Sequence, residues 1–102
     1  MKRYTKLVRD GIPKILDEKG VPYEQRTAEG EEYVHALIKK LEEEIGEFTS
    51  EASVEELADI IEVIEALRKL PKYKDVESVR QKKASERGAF DAKIILTGDK
   101  YK

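Results

Sequence analysis

The stretch VHALIKKLEEEIGEFTSEASVEELADIIEVIEALRKL (34–70) decides the fold. Val34, Leu37, Ile38, Leu41, Ile45 and Phe48 recur at spacings of three and four, the signature of a helix with one apolar stripe. This pattern predicts a long helix from about Glu31 to Thr49. Residues 50–53 then read as a short joint, and Ser53 followed by Glu56 is the S-x-x-E capping box that opens a helix. The second helix is expected from Val54 to about Leu70, with Pro71 marking its exit. A joint this short makes the two helices antiparallel neighbours.

The same stretch carries an unusual set of acids. On a helical wheel with Leu41 at zero, Glu44 falls near −60° and Glu47 near −120°, along one flank of the apolar stripe. Glu42 and Glu43 point to about +100° and −160°, and Lys40, near −100°, joins the flank of Glu44. On the second helix Leu57, Ile60, Ile61 and Ile64 define an apolar face. Glu56 and Asp59 lie at its border, in line with Val63, Ala66 and Leu70. Both i,i+3 pairs adjoin the joint, so four carboxylates are expected to converge across the helix pair. Their mutual repulsion calls for compensation, and a hard divalent cation with oxygen ligands provides it. Glu42, Glu43, Glu55, Glu62 and Glu65 read as ordinary exposed helix acids, solvated or paired with nearby lysines.

Working outward, Pro13 suits the first turn of a short helix that ends near Lys19, where Gly20 is a fitting stop. Residues 21–30 form a connection. Beyond Pro71, Asp75 to Glu86 suits a polar helix anchored by Val76 and Val79, ended by Gly88. Lys93–Thr97 is a short strand or an extended segment, and the closing GDKYK is expected to fray.

Composition narrows the chemistry. The 102 residues suffice for one domain. With 20 basic against 22 acidic residues, there is no basic excess to suggest nucleic-acid binding. The absence of cysteine excludes thiolate chemistry, and the lone His35, on the polar side of its helix, excludes a His-rich metal site. A metal would therefore take oxygen ligands, as Mg²⁺, Mn²⁺ or Ca²⁺ do. No apolar run reaches the roughly 20 residues of a membrane span, and the N-terminus lacks a signal-peptide core. A cytoplasmic location is expected.

Glu43-Glu44-x-x-Glu47 followed by Glu56-x-x-Asp59 resembles the EExxE…ExxD pattern of the all-α nucleoside triphosphate pyrophosphatase superfamily. That superfamily includes MazG-like enzymes, dimeric dUTPases and phosphoribosyl-ATP pyrophosphohydrolase. KLVRDGIP (6–13) and the ERGAF…IIL stretch (86–96) are similar to the ends of the small house-cleaning MazG-like branch, with Ala89 where a glycine is expected. The resemblance implies one MazG-like domain over 1–102 that hydrolyses a nucleoside triphosphate to monophosphate and pyrophosphate. It further implies that Glu44, Glu47, Glu56 and Asp59 hold Mg²⁺, or Mn²⁺ in its place, and form the catalytic set. Glu43 takes a supporting or subunit-bridging role.

Arg9, Lys40, Lys82, Lys83 and Arg87 are candidates for holding the phosphates, Arg9 and Arg87 because they lie in the matching motifs. Lys40, four residues before Glu44, equally suits a simple ion pair. Phe90 suits core packing better than base stacking. Two other readings stay open: phosphoribosyl-ATP pyrophosphohydrolase itself, and a non-enzymatic helical interaction module. The second long helix is apolar over more of its circumference than one partner covers. The fold is therefore expected to be all-α, an antiparallel helix pair forming a four-helix bundle completed in a homodimer or larger assembly.

Overall fold

The computed structural model describes residues 5–99. The chain is all-helical there: α1 (Ile12–Lys19), α2 (Gly30–Glu51), α3 (Val54–Arg68), a single 3₁₀ turn (Pro71–Tyr73) and α4 (Val76–Arg87). Pro13 lies in the first turn of α1, and Gly20 closes that helix in the left-handed conformation, donating to the carbonyls of Asp17 and Leu16. No helix among the described residues is long and apolar enough to cross a membrane.

The joint between α2 and α3 is tighter than the sequence suggests, with only Ala52 and Ser53 outside helix. Ala52 makes this possible by adopting φ 51°, a left-handed conformation that its Cβ disfavours, while its N–H caps Phe48. The Ser53 side chain accepts from the Glu56 N–H at 3.2 Å and starts α3. Only this half of the expected capping box forms among the described residues. The Glu56 carboxylate does not return to Ser53, and its Oε2 is buried without a hydrogen-bond partner.

α3 ends at Arg68, two residues short of the expected Leu70, because Leu70 turns extended ahead of Pro71. Glu77 then fastens the start of α4 to the end of α3. It accepts from Arg68, Arg80 and Gln81, and the two arginines hold its carboxyl at about 2. Residues 93–97 form no strand: Lys93 takes a left-handed φ of 59°, and no neighbouring strand among the described residues offers the segment a ladder. Of the GDKYK end, 100–102 lie outside the described residues.

The main tertiary contact is α2 against α3. Near the joint Glu44 approaches Glu56 and Asp59, and farther from it Ile38 lines one groove with Ile64 and Leu67. The buried residues are Val34, Leu37 and Val63, and with them the charged Glu44. The helix faces are thus turned differently from the pattern's simplest reading. On α3 the row of Glu56, Asp59 and Val63 faces inward, while Leu57 and Ile61 stay 45% and 51% exposed. On α2 the flank of Ile38 and Ile45 is likewise exposed. Phe90 is no core residue of this chain, since it is 95% exposed, and Ile94, Ile95 and Leu96 beside it are also in solvent.

The chain is extended for its size. Its radius of gyration is 18.0 Å, against about 13 Å for a compact domain of this length. Its accessible surface is 9637 Å², against roughly 5,900 Å² expected for a folded monomer of this mass.

Candidate metal centre

The acids come together because the tight joint brings the last two turns of α2 beside the first two turns of α3. Glu44, Glu56 and Asp59 each offer a carboxylate oxygen, and the three atoms lie within 4.8 Å of one another. Oxygens around a bound Mg²⁺ stand about 3 Å apart when adjacent and about 4.2 Å when opposite, so the three oxygens can converge on one ion by side-chain adjustment. Glu47 stands outside this tight group, exposed at the rim, yet close enough for its negative charge to push the Glu56 carboxyl up.

The electrostatics are those of an incompletely neutralised acid cluster. The Glu56 carboxyl is pushed above its usual range, by desolvation first and then by Glu47, Asp59 and Glu44. Glu44 is the only buried charged residue among those described, at 5% exposure. Its Oε1 lies 3.3 Å from Lys40 Nζ, but its Oε2 is buried with no hydrogen-bond partner. A buried, unpaired carboxylate oxygen costs free energy unless something satisfies it. Oxygen-only donors, two unsatisfied buried oxygens and a shared focus fit a hard divalent cation.

Two cations anchor the acids from outside. Arg9, on the turn before α1, donates to Asp59 Oδ1 at 2.7 Å and ties the N-terminal segment to α3. Lys40 bridges Glu44 and Glu43, at 3.3 and 3.4 Å. Burial pushes the Lys40 ammonium down, but the two carboxylates more than offset this and hold it raised. Glu43 also meets Lys6 at 3.5 Å. Burial pushes its carboxyl up, and Lys40 and Lys6 bring it below the usual range. Lys6 was not among the expected site residues, although it opens the same KLVRD segment as Arg9.

Lys83 and Arg87 project from α4 as exposed side chains with no ion pair to the acid cluster in this chain. His35 is exposed, as its wheel position implies. Of the acids read as ordinary, Glu65 pairs with Arg68 at 3.7 Å, while Glu42, Glu55 and Glu62 lie exposed. Compared with family models, curated proteins and solved structures, the chain finds no match.

Proposed function

We propose that the chain is a divalent-metal-dependent nucleotide pyrophosphohydrolase, which cleaves a nucleoside triphosphate to monophosphate and pyrophosphate at the α2–α3 carboxylates. The observation that carries this reading is the buried, unpaired Oε2 of Glu44, beside oxygens of Glu56 and Asp59 within 4.8 Å. The reaction class comes from the resemblance of the EExxE…ExxD spacing and the flanking motifs.

Glu44, Glu56 and Asp59 would hold Mg²⁺ or Mn²⁺, with Glu47 as a further ligand from the rim. When bound, the metal neutralises charge that develops on the phosphate oxygens and favours ionisation of water. Glu47, the most solvent-accessible of the four, is placed to orient an attacking water and take its proton. Water attacks the α-phosphorus, the bond to the bridging oxygen breaks, and pyrophosphate leaves with the electron pair. Arg9 lies at the site's edge, where its guanidinium can leave Asp59 for a phosphate that it binds bidentately. Lys40 offers a point charge beside it.

The α2–α3 antiparallel pair serves as half of a four-helix bundle, with a second copy of the chain supplying the other half. The excess surface of the isolated chain supports this, as do Ile45 of α2 and Val54 of α3, which are apolar and exposed. Calorimetric titration with Mg²⁺, followed by a pyrophosphate-release assay, tests the function. Saturable binding with Mg²⁺-dependent release is expected. A helical interaction module without enzymatic function would give neither, and turnover confined to phosphoribosyl-ATP would identify the histidine-biosynthetic enzyme instead.

A further inference from the structure

The C-terminal part of the chain is tied to the helix pair at its start, where Glu77 meets Arg68 and Val76 shares a groove with Ile38 and Ile64, and beyond that it has no core of its own. No residue of α4 is buried, Val76 and Val79 are 41% and 50% exposed, and the segment beyond Gly88 exposes Phe90, Ile94, Ile95 and Leu96 almost completely. Four large apolar side chains over seven residues, open to water, need a partner surface. An apolar surface of matching character lies along α3, where Leu57, Ile61 and Ile64 are exposed at helical spacing; only its Ile64 end is shared within the chain, in a groove with Ile38, Tyr73 and Val76.

Area and charge indicate what covers it. The chain exposes 9637 Å², an excess of roughly 3,700 Å² over a compact monomer of its mass. Obligate homodimers bury some 2,000–5,000 Å² in total, so one interface with a second copy is of the right order to absorb much of it. The two surfaces are also oppositely charged. α3 carries Glu55, Glu56, Asp59, Glu62 and Glu65 against Arg68 alone. Over 76–93 there are five cations, Arg80, Lys82, Lys83, Arg87 and Lys93, against the three acids Glu77, Glu86 and Asp91.

We infer that residues 79–97, beyond the Glu77 anchor, are an exchange arm: in the dimer, each copy lays Phe90 and Ile94–Leu96 on the outer Leu57–Ile61–Ile64 face of the other. The arm carries Lys83 and Arg87 with it towards the second copy's carboxylates, so that each phosphate site draws cations from both chains. This rests on the dimeric reading above, but not on turnover.

The absence of cysteine makes the test clean. Leu96→Cys and Ile61→Cys are prepared as separate full-length proteins, mixed, allowed to exchange subunits and oxidised. The expected product is a disulfide between arm and helix peptides of different chains, with the mass of two chains. In parallel, Ile95→Asp should raise the dimer dissociation constant at least about tenfold, the effect of losing about 1.4 kcal/mol of interface energy, while keeping the helical signal. A wild-type protein that sediments as an 11.7 kDa monomer overturns the inference. So does a dimer whose arm links only to its own α3 in the Leu96→Cys/Ile61→Cys double variant, or whose affinity is untouched by Ile95→Asp. A linked but catalytically silent dimer would refute the hydrolase reading alone, and a Mg²⁺-dependent enzyme without the link would refute the arm alone.

Discussion

Replacing Lys40 by methionine would leave a buried carboxylate without the only cation that pairs with it among the described residues. Lys40 Nζ lies 3.3 Å from Glu44 Oε1, its side chain is 18% exposed and that of Glu44 7%. Breaking a fully buried pair by removing one partner costs about 3–5 kcal/mol. Lys40 reaches solvent and is shared with Glu43, so the cost falls at or below the bottom of that range, about 2–3 kcal/mol in metal-free protein. For a domain of this size that corresponds to a fall in Tm on the order of 10–20 °C. If a divalent cation binds the same carboxylates, saturating Mg²⁺ should recover much of the loss, because the ion supplies the missing positive charge. Adding Glu44→Gln to Lys40→Met should recover much of it without metal. The assay is thermal denaturation followed by circular dichroism, with chelator and with Mg²⁺, for wild type, both single variants and the double. Equal losses with and without Mg²⁺, combined with simple additivity of the two substitutions, would refute the reasoning.

Glu47→Gln and Asp59→Asn should abolish turnover and keep the fold, while Glu42→Gln and Glu62→Gln, on exposed positions, should be nearly silent in the same pyrophosphate assay. Glu56 is raised in the fold, so its contribution is fully present below the ordinary glutamate range of about 4.3 and is lost as pH rises through its elevated value. Glu56→Gln should therefore raise the Tm of metal-free protein at neutral pH, and by less near pH 4. Glu77 has the opposite sign: held at about 2, it stabilises above the ordinary range and loses that contribution as pH falls through about 2. Glu77→Gln should flatten this acid limb of the stability curve. Ala52→Gly relieves a left-handed φ of 51°, and should stabilise by up to about 1 kcal/mol in urea denaturation.

The helices were legible because their signals are local. Three- and four-residue spacing located α2 and α3, Ser53 located the start of α3, and Gly20 and Gly88 ended α1 and α4. The grouping of Glu44 with Glu56 and Asp59 was legible too, because a short joint constrains which turns can meet. What could not be read was which side of each apolar arc turns inward. The arc of α3 is wide enough to pack in two ways, and the carboxylate–Val63 side is the one that meets α2. Contacts over long sequence separation were equally out of reach: Arg9 on Asp59 spans 50 residues, and no periodicity encodes it. Phe90 was misread as core because an apolar residue near a helix end usually finds partners within its own chain, and here it does not.

The proposed reaction is metal-dependent attack of water on the α-phosphorus at the Glu44, Glu47, Glu56 and Asp59 site. It is tested most directly by incubating the protein with standard and modified nucleoside triphosphates in ¹⁸O-enriched water, with Mg²⁺ or with chelator. Mass spectrometry of the products then locates the label. Mg²⁺-dependent release of pyrophosphate is expected, with ¹⁸O in the nucleoside monophosphate and none in the pyrophosphate, and loss of both products in Asp59→Asn. Label in pyrophosphate or orthophosphate, activity unaffected by the chelator, or no release from any triphosphate by folded, Mg²⁺-saturated protein would contradict it.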